Sequence, residues 1–194
     1  MPSNAPLVLA SASPRRLDLL RQAGLEPDRV LPAEIDETPL KGEMPRQLAE
    51  RLARGKAGAG AAVAPDAFVI GSDTVVTLGR RIFGKPDDEA EARRMIGLLQ
   101  GRAHRVLTGV AVQAPDGRVS YRLSETRLRW KRLTPREVGA FIATEEWRGV
   151  AGGYRIQGRA AAFTLELQGS YTGVVGLPLY ETLALLEGLG YRSA

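Results

Sequence analysis

The residues best placed to do chemistry begin with a pair of arginines, Arg15 and Arg16, that follow two serines, Ser11 and Ser13. Leu7 to Ala10 reads as a short buried strand, and Leu17, Leu19, Leu20 and Ala23 then recur at helical spacing. Ser13 suits the N-cap of that helix, Pro14 its first position and Gly24 its end. Both arginines therefore fall in the first turn, where unpaired N–H groups already carry partial positive charge. A cation there costs roughly 0.3–1 kcal/mol, whereas an anion gains as much. A phosphate bound at this turn reverses the cost. Backbone N–H groups, the hydroxyls of Ser11 and Ser13 and two guanidinium forks converge on it.

Asp73 is the second candidate, because it interrupts an apolar β-rich run between Ser72 and Thr74. A buried carboxylate needs a cation or several hydrogen bonds. A carboxylate so held can activate water, bind a divalent cation, or do both. Glu37, in the polar loop Asp36-Glu37-Thr38-Pro39, offers a second carboxylate. Lys56 is expected near the end of a helix and Lys85 in the tight turn Phe83-Gly84-Lys85-Pro86; each can present an ammonium to phosphate. Gln157 lies in the glycine-rich stretch from Gly149 to Gly158, and its amide carries both a donor and an acceptor, as the edge of a pyrimidine base requires. That stretch is neither a dinucleotide fingerprint nor a Walker-type loop. His104, the only histidine, reads as structural or solvated rather than as a base.

The elements that must position these groups alternate between helices and strands. A second short strand is expected at 29–33, and a helix opens at Pro45 with Leu48, Leu52 and Ala53 inward. A strand over 67–78 reads as broken at Ser72-Asp73, and Asp87-Asp88 caps a helix that ends at Gly101. Val106 to Gln113 and a return strand from Val119 to about Arg132 flank the hairpin turn Asp116-Gly117. Pro135 opens a further helix, 163–167 alternates like a strand, 169–178 reads as a loop, and 179–189 as a closing helix. The pattern predicts an α/β fold with a mixed sheet, in one domain over residues 1–194.

Composition narrows the chemistry. With no cysteine, disulfides, thiolate nucleophiles and thiolate metal sites are excluded, and with one histidine so is a multi-histidine metal centre. Any metal must be held mainly by oxygen, which points to Mg²⁺ or Mn²⁺. The balance of 27 basic to 22 acidic residues favours anionic ligands. No stretch approaches a membrane span, the first six residues lack the features of a signal peptide, and the lack of cysteine fits a cytoplasmic setting, so no membrane partner is expected.

The ordered set of segments resembles the Maf family of nucleoside triphosphate pyrophosphatases. The resemblance rests on Leu9-Ala10-Ser11-Ala12-Ser13-Pro14-Arg15-Arg16, Asp36-Glu37, Lys56-Ala57, Gly71-Ser72-Asp73-Thr74-Val75-Val76, Gly84-Lys85-Pro86, Gly153-Tyr154-Arg155-Ile156-Gln157-Gly158 and Val175-Gly176-Leu177-Pro178-Leu179. It implies hydrolysis of a nucleoside triphosphate to its monophosphate and pyrophosphate. It further implies a divalent metal, an elongated mixed sheet with flanking helices and two lobes around a central cleft, and a homodimer. Asp73 matches the position of the proton acceptor, and Arg15, Thr74 and Gln157 match positions that set base preference in the branch acting on dTTP and UTP. On this reading Glu37 and Asp73 hold the metal, while Arg15, Arg16, Lys56 and Lys85 neutralise the triphosphate. Ser11 and Ser13 donate hydrogen bonds to it. In one departure, many relatives carry a lysine where this chain has Val150, and Arg148 or Arg155 is the side chain available to replace it. Two other readings stay open: a pyrophosphatase for 7-methyl-GTP or other modified nucleotides, and a non-catalytic nucleic-acid-binding or septum-regulating protein. Against a stable nucleic-acid partner stand an aromatic content of 6% and the lack of a basic low-complexity tail.

Overall fold

The computed structural model describes residues 5–192; the segment Met1 to Asn4, read above for a signal peptide, lies outside them. The chain runs β1 (Leu7–Ala10), α1 (Pro14–Gln22), β2 (Arg29–Val30), α2 (Pro45–Val63), β3 (Phe68–Leu78), β4 (Arg81–Phe83) and α3 (Glu89–Leu99). It continues with β5 (Ala103–Gln113), β6 (Val119–Trp130), α4 (Pro135–Ile142), β7 (Thr164–Gln168), α5 (Tyr171–Val175) and α6 (Leu179–Leu189). Among the described residues no helix is long and apolar enough to cross a membrane.

The strands form one mixed sheet in the order β2-β1-β3-β5-β6-β7, with β4 also paired to β3. β1 lies parallel to β2 and to β3, while β3-β5, β5-β6 and β6-β7 are antiparallel. The three central strands have 11, 11 and 12 residues, a span of about 35 Å that makes the sheet long in one direction. On one face, α1 and α6 cover an apolar cluster built on Leu7, Leu9, Phe68, Ile70 and Val110. Farther along that face, α3 and α4 cover a second cluster around Val76, Val106, Leu128, Trp130 and Phe141. The other face carries α2 through smaller clusters, Leu48 and Leu52 on Val75 and Leu107, then Ala53 and Ala57 on Ala111. The two large clusters are the two lobes.

Several boundaries differ from the sequence expectation, each for a physical reason. β3 is continuous through Ser72 and Asp73 because β5 pairs with it from Val69 to Thr77. What is interrupted is its opposite edge. β1 covers β3 only as far as Gly71, and β4 begins only at Val76, so Ser72 to Val75 have no partner strand there. Lys56 is not near a helix end: α2 runs on to Val63 because Ala57, Gly60 and Ala61 pack flat against the sheet. The stretch 169–178 contains the short helix α5, capped by Ser170, whose hydroxyl accepts from the Gly173 N–H at 2.9 Å. The second strand closes after Val30, the return strand stops at Trp130, and the last strand is displaced by one residue, to Thr164–Gln168. Asp88 caps α3 as expected, accepting from the Glu91 N–H at 2.7 Å.

Candidate active site

The open edge of β3 is where the two faces of the sheet meet, and a cavity of about 320 Å³ occupies it. Asp73 points toward α2: its register partner Gly109 and its same-face neighbour Gly71 both lie under that helix. A Cβ at Gly71 would stand 2.3 Å from the Ala57 nitrogen, so glycine alone lets α2 come this close. The close approach carries Lys56 to Asp73. The Lys56 ammonium lies 2.6 Å from Asp73 Oδ1 and 2.6 Å from Glu37 Oε1, and Lys85 reaches Glu37 Oε2 at 3.5 Å. Burial raises the Glu37 pKa, but the hydrogen bond and charge of Lys56, with Lys85 behind it, outweigh burial and hold the carboxyl below its ordinary value.

Thr74 points to the opposite face, level with Thr108 at 3.2 Å. Arg16 is buried there and bonded on all three nitrogens. Nε donates to the Gly176 carbonyl at 2.8 Å, Nη1 to Ser11 Oγ at 3.1 Å and Nη2 to Thr74 Oγ1 at 3.4 Å. Burial lowers its pKa from the usual arginine value, partly offset by the charges of Asp73 and Glu37. Gly176 (φ 139°) sits in a conformation that disfavours a side chain, and its carbonyl also accepts from Ser72 Oγ at 3.1 Å. Arg16 therefore ties α1 to β3 and to the turn before α6, while still bordering the cavity. Ser13 occupies the N-cap of α1 without making a capping bond, which leaves its hydroxyl free to face the cavity. The Ser11 hydroxyl oxygen accepts from the Ser13 N–H at 3.2 Å.

All ten residues singled out in the sequence line this one cavity: Ser11, Ser13, Arg15, Arg16, Glu37, Lys56, Asp73, Thr74, Lys85 and Gln157. They come from α1, α2, β3 and four loops, over 147 positions of the chain from first to last. Val150 also lines it, in the glycine-rich stretch, and is buried. His104 does not. It is 2% exposed, with Nε2 2.8 Å from the Tyr154 hydroxyl and its ring edge-on to Trp130. Burial alone takes its pKa down to about 4. Two further polar side chains line the cavity that local sequence pattern does not single out, Tyr154 and Arg155. Tyr154 forms part of the floor, and its pairing with His104, fifty positions away, leaves no trace in local pattern. Arg155 stands two places before Gln157 and was noted only as a substitute for a lysine at 150.

The site's donors suit a hard cation. Glu37 and Asp73 aim one oxygen each at a common point, now held by the Lys56 ammonium. Among the described residues no group of three or more acidic, histidine or cysteine side chains converges. Two carboxylates, with phosphate oxygens and water completing the shell, is the set that Mg²⁺ ordinarily takes.

The chain is similar to known proteins over nearly its whole length. Residues 6–189 match the family described as Maf-like protein. A dTTP/UTP pyrophosphatase of Hyphomonas neptunium is 57% identical over 192 residues, which cover 99% of this chain and 100% of the relative. Another from Caulobacter vibrioides is 59% identical over 192 residues, again 99% of this chain and 100% of the relative. Among solved structures, a nucleoside-triphosphatase / dITP/XTP pyrophosphatase from Mycobacterium abscessus aligns at 17% identity with a TM-score of 0.41, covering 66% of this chain and 74% of that one.

Proposed function

The chain is a member of the Maf family, and on that premise we propose that it hydrolyses dTTP and UTP to the monophosphate and pyrophosphate. One observation carries this reading: the Asp73–Lys56–Glu37 constellation opens onto a cavity whose remaining charged side chains are Arg15, Arg16, Lys85 and Arg155, all cations. The substrate class follows from relatives named dTTP/UTP pyrophosphatase and from Gln157 on the rim, whose amide can pair with the N3–H and a carbonyl of a uracil or thymine ring.

Asp73 Oδ1 accepts from Lys56, which fixes the carboxylate and leaves the second oxygen to take a proton from water. That water attacks the α-phosphorus, the bond from the α-phosphorus to the bridging oxygen breaks, and pyrophosphate departs with that oxygen. Arg15, Lys56 and Lys85 offset the charge that gathers on the phosphates. Arg16, already bonded to Gly176, Ser11 and Thr74, holds its own charge at a fixed place beside them. The hydroxyls of Ser11 and Ser13 donate to phosphate oxygens, and Thr74 and Gln157 border the base. A divalent cation, Mg²⁺ or Mn²⁺, would be held by Glu37 and Asp73 and would polarise the phosphate oxygens when bound. The lack of cysteine accords with a cytoplasmic setting.

Purified protein given dTTP, UTP, GTP or 7-methyl-GTP with Mg²⁺ tests the reading. Pyrophosphate and monophosphate are expected in equal amounts from dTTP and UTP, and chelation with EDTA should stop the release. Preferred turnover of 7-methyl-GTP, or release of orthophosphate in place of pyrophosphate, would overturn it.

A further inference from the structure

Apart from Arg16, which is bonded to Gly176, Ser11 and Thr74, the cations of the cavity fall into two groups. Lys56 and Lys85 face Glu37 and Asp73, and these contacts account for the three ion pairs at the cavity. Arg15 and Arg155 line the same cavity and take part in none of them. Arg155 donates through Nη2 to the Arg148 carbonyl at 3.2 Å, while its Nε is buried with no hydrogen-bond partner. The two guanidiniums are close enough to act on each other. Burial lowers the pKa of Arg15 first, the charge of Arg155 next, and only then the charge of its own sequence neighbour Arg16. Arg148, the other substitute for a lysine at position 150, is committed elsewhere. Its Nη2 lies 2.7 Å from Glu145 Oε1, and its guanidinium stacks on the Trp147 ring at 4.5 Å from the centroid.

Two permanently charged groups that share a half-buried wall without a carboxylate between them repel, and an anion between them turns repulsion into two attractions. A guanidinium offers only donors, in a fork that matches two oxygens of a phosphate. The edge of a pyrimidine needs a donor and an acceptor side by side, which Arg155 cannot supply and Gln157 can. We propose that Arg155 is a further substrate-binding residue, closing with Arg15 on the phosphate chain of the nucleotide rather than on its base. This rests on the reading of the cavity as a nucleoside triphosphate site. It adds a residue from the glycine-rich stretch to the phosphate contacts, which otherwise come from α1, α2 and two loops.

Inorganic pyrophosphate is the probe, titrated calorimetrically into the wild type and into Arg155→Ala, Arg155→Lys and Arg148→Ala. Arg155→Ala should weaken pyrophosphate binding about tenfold or more, the loss expected for one charge-assisted contact. Arg155→Lys, which keeps the charge but not the fork, should fall between. Arg148→Ala should bind as the wild type does. The salt dependence of binding should be shallower in Arg155→Ala, a change that mere loosening of the stretch would not produce. Wild-type affinity in both Arg155 variants would overturn the proposal. So would unchanged pyrophosphate binding accompanied by lost discrimination between dTTP and dCTP, which would place Arg155 at the base. The titration needs no turnover, so wild-type protein that binds pyrophosphate but leaves dTTP and UTP intact refutes the function and not this contact.

Discussion

Two constellations of polar groups lie on opposite faces of the central sheet and find their partners differently. On the α2 face, Lys56, Asp73 and Glu37 satisfy one another, with the ammonium 2.6 Å from an oxygen of each carboxylate. On the other face, His104 sits between Tyr154 and Trp130 with no opposite charge in contact, and burial drives it neutral, with its pKa down to about 4. Its Nδ1 and the Trp130 indole nitrogen are left without partners. A cluster of ion pairs lining a cavity stays available to move a proton or hold a phosphate. A cluster that gives up its charge inside an aromatic core contributes packing and edge-on ring contacts of the kind worth about 0.5–1.5 kcal/mol each. The first constellation is read as chemistry and the second as support, although both adjoin the same cavity.

The sharpest way to break that contrast is Asp73→Asn. The amide still accepts from Lys56, and Lys56 keeps Glu37, so the fold should survive with a loss of about 1–2 kcal/mol. Pyrophosphate release from dTTP should nonetheless drop about a thousandfold, within the range that general-base contributions span. Near-normal turnover in a variant with an intact thermal transition would remove Asp73 from the proton-transfer role and would erase the distinction between the two clusters.

His104→Phe probes the other side. In the unfolded chain the imidazole titrates near 6.5, and in the folded protein near 4. Between those values the unfolded state binds the extra proton, so stability falls as pH drops from 6.5 toward 4 and levels off below. The full difference is about 3 kcal/mol. Phenylalanine leaves the Tyr154 hydroxyl without its partner, which costs about 1–3 kcal/mol at every pH. It should also abolish the slope between pH 6.5 and 4 in urea unfolding, whereas turnover at pH 8 should change only a few-fold. A slope that persists in the variant would assign the acid sensitivity to other groups.

How far these clusters can be read from sequence differs for the same physical reason. Arg15, Arg16 and Asp73 are legible because each violates a local rule: cations at a helix start, and an acid in an apolar strand. The helices opened by Pro14, Pro45 and Pro135 are legible through their first-turn prolines. Lys56 violates nothing, since a lysine in a helix is ordinary. Its placement two turns before the end of α2 depends on Gly71 admitting the helix to contact. The cavity itself is a property of pairing. Ser72 to Val75 lie open because β1 ends and β4 has not begun, and no local pattern around Asp73 encodes where its neighbours stop. His104 and Tyr154 break no local rule either, and only the antiparallel register that sets His104 opposite Leu128 brings the histidine into the aromatic core.

The smallest expected effect separates the clusters in pH rather than in position. Glu37 is held below its ordinary carboxyl value. Burial works against this, and the hydrogen bond and charge of Lys56, with Lys85, prevail. A group depressed in this way adds stability above its unfolded value of about 4.5, and that stability disappears as pH falls through the lower folded value. The Glu37 side chain is 41% exposed, so solvent screens the pair and the contribution should stay under about 1 kcal/mol. Glu37→Gln should therefore leave stability between pH 6.5 and 4.5 parallel to the wild type, the window in which His104 dominates. Only the further decline below about pH 4.5 should become shallower. The two substitutions thus act in adjoining windows, the higher belonging to the neutral cluster and the lower to the charged one. If Glu37→Gln instead flattened the higher window, Glu37 and His104 would be coupled across the sheet, and the two faces would have to be treated as one titrating unit.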